Sequence, residues 1–187
     1  MRSILGLLAI IFVVGFGVAT GSAQMGNENP MVGGASMFKT KNIVENAMNS
    51  KDHTTLVAAV KAAGLVDTLM GAGPFTVFAP VNSAFDKLPA GTVDTLLKPE
   101  NKDTLTKVLT YHVVAGNMDS KAIAKAIKLG KGKAELTTVA GGKLWAMMEG
   151  KHLILVDEKG GRSMVTIADV RQSNGVIHVV DTVLIPN

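Results

Sequence analysis

Four histidines, His53, His112, His152 and His178, are the side chains best suited to proton transfer near neutral pH or to holding a transition metal. They lie far apart in the chain, and no two share the short helical spacing that aims paired imidazoles at one ion. The absence of cysteine removes thiol nucleophiles, thiolate ligands and disulfides. No Gly-x-Ser-x-Gly elbow occurs, and Gly71-Ala72-Gly73 precedes a proline and a strand pattern, whereas a phosphate loop opens a helix. Asp157 and Glu158 are adjacent carboxylates in a Gly-rich stretch, which fits a solvated hairpin turn better than a cation site. Met25, Met31 and Met37 could form a copper-binding array, but with no histidine beside them they read as incidental. No enzyme, metal or cofactor is therefore expected. A hydrolase would need His112 or His178 exposed in a cleft beside a carboxylate or hydroxyl.

The elements that would position these residues follow an export signal. Met1-Arg2-Ser3, the apolar run Ile4 to Ala19 and the small residues Thr20-Gly21-Ser22-Ala23 predict a signal peptide over residues 1–23, cut after Ala23. The expected product is secreted, extracellular or periplasmic, with no stable membrane span after cleavage. Residues 24–40, with Gly26, Asn27, Asn29, Pro30, Gly33 and Gly34, read as a flexible mature N-terminus, and residues 41–187 as one domain. The chain carries 19 basic and 15 acidic residues. Lys121, Lys125, Lys128, Lys131 and Lys133 form the dense basic group, at the spacing of a solvated helix side. Nucleic-acid binding would call for a stronger basic face with interleaved aromatics. Weak attraction to anionic surfaces or polysaccharides stays open.

Helical spacing dominates the first half. Ile43, Val44, Ala47 and Met48 share a face, as do Leu56, Val57, Val60 and Ala63 before the stop at Gly64. Leu105, Val108 and Leu109 mark a later helix running into Tyr111-His112-Val113-Val114, and Ile123, Ala126 and Ile127 mark another. Strands follow: Ala134–Val139 with Lys143–Met148, His152–Val156 with Arg162–Ile167, and Val176–Leu184 after the turn Ser173-Asn174-Gly175. Helices first and antiparallel strands afterwards predict an α+β fold.

Two segments stand out. Phe75-Thr76-Val77-Phe78-Ala79-Pro80-Val81-Asn82-Ser83-Ala84-Phe85 is a strand closed by Pro80, with Asn82 placed to cap the helix that follows. Asn174-Gly175-Val176-Ile177-His178-Val179-Val180-Asp181-Thr182-Val183-Leu184-Ile185-Pro186 is a tight turn and a strand with apolar residues on both faces, so His178 and Asp181 need polar partners. With Tyr111-His112 between them, these closely resemble the signature segments and central Tyr-His pair of the fasciclin domain family, from about residue 42 to 186. Val81 stands where many members carry Thr.

The resemblance implies a fasciclin-like fold, with helices clustered in the N-terminal half packed on an antiparallel β-sandwich or wedge of short strands. It also implies a cell-adhesion or extracellular-matrix module that binds surface proteins or polysaccharides. In animal members the Tyr-His region is associated with integrin and matrix binding, which points to Tyr111 and His112. The same pair could instead be buried and bonded locally. A single domain adheres weakly, so useful adhesion would need self-association or surface display. The alternative is a periplasmic binding protein for a small apolar ligand, suggested by high apolar content with one Trp and one Tyr.

Overall fold

The structure, a computed structural model, describes residues 29–187. The export signal and residues 24–28 lie outside the described residues. A short hairpin, β1 (Met31–Val32) and β2 (Ala35–Ser36), leads to helices α1 (Ile43–Ala47), α2 (Thr54–Ala63) and α3 (Val66–Met70). Strand β3 (Phe75–Pro80) is followed by α4 (Asn82–Asp86), α5 (Thr92–Leu96), α6 (Lys102–Tyr111), strand β4 (Val113–Ala115) and α7 (Ser120–Leu129). Five strands complete the chain: β5 (Lys133–Thr137), β6 (Lys143–Glu149), β7 (His152–Val156), β8 (Arg162–Gln172) and β9 (Gly175–Val180).

Local chemistry accounts for several boundaries. Asn42 and Glu45 form a reciprocal capping box that starts α1. Gly64, at φ 72°, ends α2 in the left-handed conformation that side chains disfavour. The Asp119 carboxylate accepts the Ala122 N–H to start α7, whose Ile123 and Ile127 turn inward while its lysines stay exposed.

The fold is α+β, but its sheet differs from the expected antiparallel sandwich in two ways. The seven strands run in the order β4-β3-β9-β8-β7-β6-β5, and β3 pairs with β9 in parallel, Phe75 opposite Gly175. A parallel neighbour needs a long crossover, and most of the domain lies between these two strands. The outer strands also approach each other: Val114 bridges to Thr138, and the Val139 N–H donates to the Val113 oxygen at 2.7 Å. The sheet is thus nearly closed, like a barrel. Strand β8 is the bend in it, pairing with β7 over Arg162–Met164 and with β9 from Val165 onward, with two register shifts.

Two apolar clusters result. Phe78, Tyr111, Ile123, Leu144, Leu155 and Leu184 fill the barrel interior. Val77, Ala79, Ile177 and Val179 point the other way, against α1, α2, α3 and α6. Strand β9 is therefore buried on both faces. The N-terminal segment corrects a second expectation. Over residues 29–40 the chain is packed, because Val32 and Met37 are buried in the helical cluster and the Met37 N–H donates to the Pro30 oxygen.

Candidate functional site

The motif residues converge where β3, β9 and the end of α6 meet. Tyr111 closes α6 inside the barrel. Its hydroxyl donates to the Lys143 oxygen at 2.6 Å and accepts the Glu158 N–H at 3.1 Å, which ties α6 to β6 and to the β7–β8 turn. Burial pushes its phenol up to about 12. His112 follows, also buried. Its Nδ1–H donates to the Val108 oxygen at 2.8 Å, and its Nε2 accepts the Leu184 N–H at 2.9 Å. Burial pulls its pKa down to about 4.

His178 is likewise enclosed, its ring stacked on Phe78 with centroids 5.6 Å apart. Its Nε2–H donates to the Met118 oxygen at 2.9 Å, and Nδ1 accepts the Asp169 N–H at 3.4 Å. Burial lowers its pKa too. Thr76 works on the same segment: its hydroxyl donates to the Gly116 oxygen at 2.7 Å and accepts the Met118 N–H at 2.8 Å. Thr76 and His178 together fix the entry into α7.

Asn82 and Asn174 take roles other than those expected. Asn82 does not cap its own helix. Its Oδ1 accepts the Thr55 N–H at 3.0 Å, capping α2 from across the molecule, and its Nδ2 donates to the Lys51 oxygen at 2.8 Å. Asn174 lies in the expected turn between β8 and β9, but without the positive φ that an Asn-Gly hairpin turn favours. Instead its buried side chain accepts the Ile43 N–H and donates to the Leu69 and Gly71 oxygens, joining α1, α3 and the β8–β9 turn. Gly175 is required because a Cβ there would stand 2.0 Å from the Phe75 oxygen. Asp181 accepts the Met164 N–H at 2.8 Å and faces Lys87 at 3.5 Å. Phe75 and Phe85 pack against the helical cluster, and Pro80 ends β3.

These geometries correct two expectations, the partner-binding role of Tyr111 and His112 and the solvated turn at Asp157. Tyr111 and His112 are core residues and offer no face to a partner. Neither His112 nor His178 lies in a cleft beside a carboxylate or hydroxyl, so the arrangement a hydrolase would need there is missing. Asp157 is buried, not a solvated turn residue: its Oδ1 accepts the Lys159 and Gly161 N–H groups, and its Oδ2 accepts the Ile185 N–H at 2.9 Å. Sequence reasoning missed that role because a carboxylate in a Gly-rich turn shows no sign of which backbone it will meet. Among the described residues no cluster of histidines and carboxylates could hold a metal ion. Met31 is 57% exposed and Met37 is buried, so these two do not form a shared site.

The helical cluster encloses an apolar cavity of about 40 Å³ between α2 and β3, lined by Val60, Leu69, Val77 and Leu109 among others. Ligand pockets run to about 300–1,000 Å³. In this conformation the cavity is several-fold smaller than such a pocket.

Comparison with known proteins agrees with this architecture. The Fasciclin domain family matches residues 51–186. Protein sll1483 of Synechocystis is 42% identical over 192 residues, spanning 100% of this chain and 99% of that protein. Immunogenic protein MPB70 of Mycobacterium bovis is 34% identical over 176 residues, 90% of this chain and 82% of that one. Cell surface glycolipoprotein MPB83 of the same species is 34% identical over 175 residues, 90% of this chain and 72% of that one. Among solved structures, a FAS1 domain pair from the insect cell adhesion molecule fasciclin I superposes with a TM-score of 0.68 at 18% identity, covering 77% of this chain and 50% of that one.

Proposed function

This chain belongs to the fasciclin domain family, and from that premise we propose that it is an exported adhesion or matrix-type module that binds surface proteins or polysaccharides. One observation carries the reading. The buried polar side chains of the family segments are engaged inside the fold, mostly with backbone groups, which leaves molecular contacts to the exterior. The names of two comparison proteins point the same way, one a cell surface glycolipoprotein and one a cell adhesion molecule. Among the described residues no helix is long and apolar enough to cross a membrane. Contact through a single domain is weak, so display in many copies or self-association would supply avidity.

The rival reading, a carrier of a small apolar ligand, has the 40 Å³ cavity against it. The test is a pull-down of envelope fragments and exopolysaccharide from the producing cell, using the purified mature protein. Saturable retention of a protein or polysaccharide supports the proposal. No retention from either source, with a copurifying apolar metabolite in the native mass spectrum, would replace it with the carrier.

A further inference from the structure

Strand β8 is left half open. Its ladder with β7 ends at Ile154 opposite Met164. In the same register Leu153 would next face Val165, and His152 would face Thr166, yet neither pair forms. Among the described residues, β8 from Val165 onward has β9 on one side, with two register shifts, and no strand on the other. Where the strands part, a trough of about 380 Å³ opens between β6, β8 and the first turn of α7.

The trough has a definite chemistry. Met148, Leu153, Val165 and Ala168 give it an apolar floor, and Lys121 and Lys151 stand on its walls. Lys125 and Lys128 continue the exposed side of α7 beyond Lys121. None of these four lysines forms an ion pair with a described residue. The nearby carboxylates are already engaged: Asp169 with the Ser120 N–H and hydroxyl, Asp119 with Arg171, and Glu149 with Arg162.

We propose that an extended, acidic segment of a partner polypeptide adds as a strand along β8 at Val165–Ala168, with its carboxylates meeting Lys121 and Lys151. An unpaired strand edge recognises extended backbone, while alternate side chains of the added strand drop onto the apolar floor. Two such edges from copies of this chain would bring lysines against lysines, which disfavours self-pairing. The lining holds no aromatic ring on which a sugar could stack. This inference rests on the proposed role as an interaction module and names the partner's chemistry.

The probe is a fluorescent peptide of about ten residues alternating glutamate and valine, titrated into the mature protein up to about millimolar concentration. A lysine–valine peptide and a polyuronate serve as comparisons. The glutamate peptide binds saturably, shifts the amide NMR signals of Val165–Ala168 and slows their hydrogen exchange, whereas the lysine peptide does neither. Lys121→Glu with Lys151→Glu, both at exposed positions, weakens binding about tenfold without changing the melting temperature. Binding that survives this double reversal, or that leaves Val165–Ala168 unperturbed, overturns the proposal. Polyuronate binding at the trough without peptide binding also overturns it. If neither probe binds while envelope retention persists, the trough inference fails and the module reading stands; loss of envelope retention strikes the module reading itself.

Discussion

The Leu184 N–H donates to Nε2 of His112 at 2.9 Å, so the segment after β9 is held by a ring that must stay neutral. Protonation would set one donor against another, at a ring that is buried from solvent. The folded pKa of about 4 lies below the ordinary 6.5, so the unfolded chain binds the proton first. Stability from this group is complete above the unfolded value and is lost as pH falls from about 6.5 towards 4. His112 alone should cost about 2 kcal/mol between neutral pH and pH 5. His178 and His53, whose pKa values burial also lowers, steepen the slope in the same direction. Urea unfolding at several pH values measures it, and a flat profile would contradict the buried, neutral rings.

Asn82 should behave as a cap for a helix to which it does not belong. Replacing it with Ala leaves the Thr55 N–H and the Lys51 oxygen without their partner, at a cost of about 1–2 kcal/mol. Asn82→Asp keeps the acceptor and should recover part of the loss. Hydrogen exchange locates the effect: faster exchange should appear in the first turn of α2, with α4 little changed.

Much of the architecture was legible where the determining contacts are local. The β5–β6 and β7–β8 hairpins follow from alternation beside Gly-rich turns, and α7 from the inward spacing of Ile123 and Ile127. The two-sided burial of β9 was legible from its unbroken apolar run. The parallel β3–β9 pair was not, because nothing in either strand names a neighbour about a hundred residues away. Asn82 and Asn174 show the same limit within one side chain. Both residue types announce caps or turns, and the partner they find is set by tertiary packing. The trough escaped notice because it is made by the end of a ladder, and Lys151 and Met148 carry no sign of that.

Met37 separates a packed N-terminal hairpin from a flexible tail. It is 2% exposed and belongs to the helical cluster, so Met37→Ala should cost about 2–4 kcal/mol in chemical denaturation. Met31 lies six residues earlier on the same hairpin and is largely exposed, so Met31→Ala should stay within about 0.5 kcal/mol. Equal, small effects at both positions would show that the hairpin is not part of the folded body.

Gly175 tests the seam that closes the fold. It lies opposite Phe75 in the parallel ladder, and any Cβ would meet the Phe75 carbonyl oxygen at 2.0 Å and its backbone carbon and nitrogen at 2.9 Å. Backbone cannot swing aside as a flexible side chain can, so Gly175→Ala must push β9 away from β3. The Phe75 N–H bond to the Asn174 oxygen lies at that point, and the Asn174 side chain holds α1 and α3 in the same place. Displacement should therefore propagate into both clusters, at a cost of about 3 kcal/mol or more. Gly141 is the control. It sits in the β5–β6 turn at φ 85° with open space around it, so Gly141→Ala should cost only the strain of a left-handed residue, about 1 kcal/mol. Thermal melts of the two variants beside the parent distinguish these outcomes. A Gly175 variant as stable as the Gly141 variant would mean that β3 and β9 are not in the close parallel contact described.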